Sequence, residues 1–178
     1  MMNIFNRWNR LKYSFFFLLI KVWQIHRKSE NVLIIESGGK EFIQYLRSIG
    51  LTARNKVKEQ IGVPQWITSN ANFCVSCLRG LVDTDGGVFT HIYTVNGKEY
   101  RYKKLCFTNR SVPLLHFVFN TLKEHGYTPK IIEHIENKRV WLYNQQEVAS
   151  YLTKIKSSNQ RLLRAHMEGC QSGNGAAC

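Results

Sequence analysis

The 178-residue sequence predicts an α+β fold in which helices alternate with antiparallel hairpins. Three observations lead there. The stretch Cys77-Leu78-Arg79-Gly80-Leu81-Val82-Asp83-Thr84-Asp85-Gly86-Gly87 reads as an apolar helix that runs into two carboxylates and is stopped by paired glycines. Two strand-like stretches follow it and flank Asn96-Gly97, a strong hairpin signal. Finally, a hairpin followed by a helix occurs over residues 22–49 and again over 130–156. Val32 then corresponds to Val140, and Tyr45-Leu46 to Tyr151-Leu152.

Taken in order, residues 5–21 suit a helix with Phe, Leu and Ile on its buried side. Residues 22–26 and 32–36 read as short strands around a polar turn. An amphipathic helix over 40–49 turns Phe42, Ile43, Leu46 and Ile49 inward and is closed by Gly50. Residues 54–62 form a polar, mostly basic connector. Val63-Pro64-Gln65-Trp66-Ile67 then anchors the chain, Pro64 restraining the backbone, before Asn72 opens the acidic-ended helix. The first hairpin of the second half covers 88–95 and 99–109. A helix over 112–126 points Leu114, Leu115, Val118, Phe119 and Leu122 at the core. A second hairpin covers 130–135 and 139–143, a helix covers 145–156, and a basic end covers 157–166, where Asn159, Arg161 and Arg164 are candidate phosphate contacts. The last dozen residues read as a loose tail.

The net charge of +13 favours polyanionic partners, nucleic acid first and an anionic membrane surface second. The first hairpin carries Tyr93, Arg101, Lys103 and Lys104 as candidate nucleic-acid contacts, with Glu99 the single acid of its second strand. Lys103 and Lys104 point to opposite faces, which leaves room for only one of them on a binding surface. The five cysteines form no regular disulfide framework, which points to a reducing, intracellular compartment. Cys74 and Cys77 form a lone CxxC inside the acidic-ended helix and read as small buried thiols before they read as zinc ligands. The apolar run at 13–20 is too short for a spanning helix and lacks a cleavage site, so no membrane partner is expected.

In the acidic-ended helix, Ser76, Gly80 and Thr84 lie four apart on one face, where a second helix backbone could come close. Carboxylates at a helix C-terminus face the negative end of its dipole. Two acids there imply a cation, most naturally Mg²⁺, which prefers oxygen ligands.

This segment resembles the signature of the LAGLIDADG homing endonucleases, with Leu78, Gly80, Leu81, Asp83, Asp85 and Gly86 matching letter for letter. Val82 and Thr84 replace Ile and Ala of that signature, and Arg79 stands where it has Ala. The resemblance implies an αββαββα repeat at 63–166 with an antiparallel DNA-binding saddle. A partial first repeat precedes it within 1–62, and 167–178 is a flexible tail. It also implies metal-dependent hydrolysis of double-stranded DNA at a long recognition site, encoded with an intron or intein. Asp85 would be the catalytic, metal-binding residue (Mg²⁺ or another divalent cation). Asp83 and Gly86 would support the helix end, and Ser76, Gly80 and Thr84 would form the seam between paired helices.

The sequence departs from the family at its beginning. No Asp or Glu occurs before Glu30, so the first repeat lacks both motif and acid. A single Asp85 serves one side of a two-strand cleavage site. The expectation is therefore an endonuclease domain that is inactive, or active only as a homodimer through the motif helix. The alternative is an intron RNA maturase or a non-cleaving nucleic-acid binder.

Overall fold

A computed structural model of the chain describes residues 11–15, 18–27, 32–51, 55, 57–133 and 138–167. It divides into two compact units, residues 1–53 and 54–178.

In the first unit, β1 (Leu11–Phe15), β2 (Leu18–Arg27) and β3 (Val32–Gly38) form an antiparallel sheet in that order, followed by α1 (Lys40–Ser48). This corrects the helix expected over 5–21. Its described part is strand, with Leu11 paired to Val22 and Phe15 to Leu18. The continuous apolar run over 15–20 has no period to separate strand from helix, but Leu11, Tyr13 and Phe15 alternate with Lys12 and Ser14 as a strand does, and pairing with β2 follows that alternation. Residues 5–10, and the polar turn at 28–31, lie outside the described residues. The expected hairpin and α1 are present. Gly50, at φ 86°, closes α1 in the left-handed region that favours glycine.

The second unit is α+β, built on a four-stranded antiparallel sheet. A short α2 (Gln65–Thr68) leads into α3 (Ala71–Asp85), and the sheet opens directly from its end with β4 (Gly86–Val95) and β5 (Lys98–Thr108). Then come α4 (Val112–Glu124), β6 (Lys130–Glu133), β7 (Lys138–Leu142) and α5 (Gln145–Tyr151). A π-helical turn (Leu152–Lys156) continues α5, and α6 (Gln160–Met167) follows. The strand order is β4-β5-β7-β6. Residues 134–137 and the expected tail from 168 onward lie outside the described residues.

Local chemistry explains these bounds. Asn70 caps α3, its side-chain oxygen accepting from the backbone N–H groups of Asn72 and Phe73 at 3.0 and 3.2 Å. The helix therefore opens at Ala71, one residue before the expected Asn72. Asn96 and Gly97 both take positive φ, 52° and 76°, as a tight two-residue hairpin requires. Gly86 is needed for space: a Cβ there would run into the Val82 carbonyl of its own helix.

The core lies between the helices and one face of this sheet. Leu78 and Val82 of α3 pack with Leu105 and Phe107 of β5, Leu115, Val118 and Leu122 of α4, and Val140 and Leu142 of β7. Val148, Tyr151, Leu152 and Ile155 extend it under α5 and the π turn, and Leu162 brings in α6. Among the described residues, no helix is long and apolar enough to cross a membrane.

Candidate nucleic-acid interface and acidic helix end

Strand register decides which side chains share a face. Phe89 is paired with Lys104, His91 with Tyr102, Tyr93 with Tyr100 and Val95 with Lys98. Side chains alternate along a strand, so these positions share the pleat opposite the core residues Val88, Leu105 and Phe107. On β7, Trp141 and Arg139 fall on this pleat through their partners Cys106 and Thr108.

The result is a sheet of rings. Tyr93 stacks on Tyr100 with centroids 5.2 Å apart, and Trp141 on Tyr143 at 5.7 Å. His91 meets Tyr102 at 4.9 Å, and Phe89 meets Trp141 at 6.0 Å. The Lys104 ammonium lies over both Tyr102 and Tyr143, at 4.9 and 5.0 Å, and Lys98 lies over Tyr100. Lys130 of β6 and Arg139 of β7 add positive charge to the same pleat. Among the described residues its strands place no carboxylate there, since Glu99 and Glu133 take the other pleat.

The expected contacts divide accordingly. Tyr93 and Lys104 lie on the open face. Lys103 does not, which corrects its assignment as a contact: it is 5% exposed under α6, and its ammonium donates to Thr90 Oγ1 at 2.8 Å and to the Ala165 carbonyl. Arg101 occupies the Lys103 pleat as well, exposed but ion-paired with Glu99. It therefore lies on the back of the hairpin and not on the open face.

Asp85 is the last residue of α3 and is half-buried. The Asn109 side-chain amide donates to its Oδ2 at 2.9 Å, while Asn109 Oδ1 accepts from the Ser111 backbone N–H at 2.9 Å. A cleft of about 360 Å³ adjoins it, lined by Asp85, Gly87, Phe89, Cys106, Thr108 and Arg161 among others. Arg161 reaches in from α6 and donates to the Gly86 carbonyl at 3.1 Å. Burial pushes the Cys106 thiol up, against a hydrogen bond to Thr108 and the nearby Arg139 charge, which pull it down.

Asp83 faces the other way. Its carboxylate accepts from Ser157 Oγ at 2.6 Å and from the Ser158 N–H and Oγ at 2.8 and 2.7 Å. It fastens the approach to α6. The Ser76, Gly80 and Thr84 positions are all exposed, and among the described residues nothing lies within 4 Å of where a Gly80 Cβ would be. Thr84 Oγ1 donates back to its own helix, to the Gly80 and Leu81 carbonyls. The Cys74 thiol donates to the Ile67 carbonyl at 3.3 Å.

Among the described residues, no three His, Cys, Asp or Glu side chains converge as a metal cage. Mg²⁺ is commonly held by one or two carboxylates together with waters and phosphate oxygens, so Asp85 alone meets the minimum for that mode. Sequence reasoning missed Asn109 as the partner of Asp85, and nothing in the sequence marks it. The rings at 89, 91 and 93, and at 100 and 102, do carry a legible signal: their spacing of two places each set on one face. No protein-family model matches this chain, and no match is found among curated proteins.

Proposed function

We propose that this chain is a nucleic-acid-binding domain of the LAGLIDADG type. Its open sheet face lies against double-stranded DNA, and Asp85 supplies half of a metal-dependent phosphodiester hydrolase site. The observation that carries the reading is where Asp85 sits: at the end of α3, beside Gly87, Phe89 and Thr108 at the rim of a cationic sheet. The order αββαββα over residues 71–156 and the motif letters support it.

Each residue then has a task. Lys98 and Lys104 hold backbone phosphates, with the rings beneath them fixing the ammonium positions. Asn109 fixes the Asp85 carboxylate, and Arg161 offers a guanidinium beside it. Bound Mg²⁺ would supply positive charge to the phosphate oxygens. Hydrolysis of both strands takes a second acid, which a second copy provides by packing its motif helix on the Ser76–Gly80–Thr84 face.

The test is light scattering of the purified chain with random duplexes of about three helical turns and Mg²⁺, followed by sequencing of any cut products. A two-chain complex that cuts, and loses cutting on Asp85→Asn, supports the reading. Duplex binding that is unaffected by Asp85→Asn and never accompanied by cutting favours the non-cleaving binder. Absence of duplex binding at low salt overturns the proposal.

A further inference from the structure

The open face of the sheet is richer in rings than phosphate binding requires. Phe89, Tyr93 and Tyr100 remain 53, 43 and 40% exposed, although each touches another ring. A duplex keeps its base faces stacked inside and offers a sheet only phosphates, sugars and groove edges. An unpaired strand offers base faces as well, and those stack on aromatic side chains. The charge on the same pleat is one-signed, from Lys98, Lys104, Lys130 and Arg139, which excludes a basic peptide as occupant. An acidic peptide would satisfy the charge and leave the rings unused.

We infer that this face binds a single-stranded segment of nucleic acid, with unpaired bases stacking on the exposed rings of Phe89 and Tyr93 and phosphates held by Lys98 and Lys104. The four-stranded antiparallel arrangement, with helices behind and rings in front, suits a strand lying across the sheet. The inference rests on the proposed function only in using the same face for nucleic acid.

The experiment is fluorescence anisotropy of the full chain with three labelled strands of equal length, about a dozen nucleotides to cover one sheet: oligouridylate, oligothymidylate, and an abasic ribose-phosphate strand of equal charge. Oligouridylate is expected to bind at least about tenfold tighter than the abasic strand, as base stacking on a few rings provides. Tyr93→Ala/Tyr100→Ala is expected to remove most of that difference. Should the variant fold poorly, quenching of tyrosine fluorescence in the unmodified chain by oligouridylate, and not by the abasic strand, gives the same answer. Equal binding of oligouridylate and the abasic strand overturns the inference, and the tighter of uridylate and thymidylate shows which sugar the face takes. A random duplex run in parallel separates the two proposals. Duplex binding without base-dependent single-strand binding removes this inference alone, and the converse removes the duplex reading alone.

Discussion

Asn109 donates to Asp85 Oδ2 across 2.9 Å, tying the end of β5 to the end of α3 at the point where the chain carries its motif acid. The same side chain accepts from the Ser111 N–H at the start of α4. One buried amide therefore orients the carboxylate and steadies the entry to a helix. Replacing Asn109 by Ala strands the Ser111 donor, itself buried. We expect a loss of about 1–3 kcal/mol in urea unfolding. A change under about 0.5 kcal/mol, the scale of an ordinary surface substitution, would show that neither bond matters to the fold.

Two glycines of the motif separate packing from spare space. Gly86→Ala drives a Cβ into the Val82 carbonyl and Cγ1, so a loss of about 1–3 kcal/mol is expected. Gly80→Ala meets nothing within 4 Å among the described residues and removes a helix-interior glycine, so a gain of about 0.5–1 kcal/mol is expected for the single chain. If the proposed seam forms, the same Gly80→Ala change weakens self-association measured by light scattering. Stabilised chains that associate as before would contradict the seam.

Tyr151 is fully buried, and its hydroxyl has no hydrogen-bond partner among the described residues. Burial, with the Asp83 charge next, pushes its pKa far upward. Removing an unsatisfied hydroxyl while keeping the ring relieves a desolvation cost. Tyr151→Phe is expected to be neutral or stabilising by about 1 kcal/mol in thermal or urea unfolding. A clear loss of stability would reveal a partner for that hydroxyl.

His166, on α6, is held below the ordinary imidazole range by burial and then by the Lys103 charge. Its unfolded form takes up a proton at higher pH than its folded form does. Stability is thus retained above the unfolded value near 6.5 and lost as pH falls through it toward the folded value. Thermal unfolding about one unit above and about one and a half units below that value should show the loss, and His166→Gln should reduce it. An unchanged pH dependence in the variant would assign the loss to other groups.

Local patterns carry much of the second unit. The hairpin at Asn96-Gly97, the motif helix and the repeated hairpin-then-helix can be read because each depends on neighbours in sequence. The strand at Leu11–Phe15 also carries a local signal, since Leu11, Tyr13 and Phe15 alternate with Lys12 and Ser14, but the unbroken apolar run over 15–20 that follows has no period and hides it. Lys103 escapes a sequence reading for a different reason. Alternation tells that Lys103 and Lys104 oppose each other, but only the seating of α6, through Ala165, tells which one is covered. The role of Asp83 is similarly hidden, because its partners Ser157 and Ser158 are more than seventy residues away.

Whether nucleic acid lies on the open sheet face is tested most directly by duplex binding of the unmodified chain across a series of NaCl concentrations, repeated with Lys98→Ala/Lys104→Ala. If this face holds the backbone, the logarithm of affinity falls linearly with the logarithm of salt. The double variant should then flatten that slope by about two, roughly one for each phosphate no longer neutralised. A slope the variant leaves unchanged would contradict the placement of nucleic acid on this face.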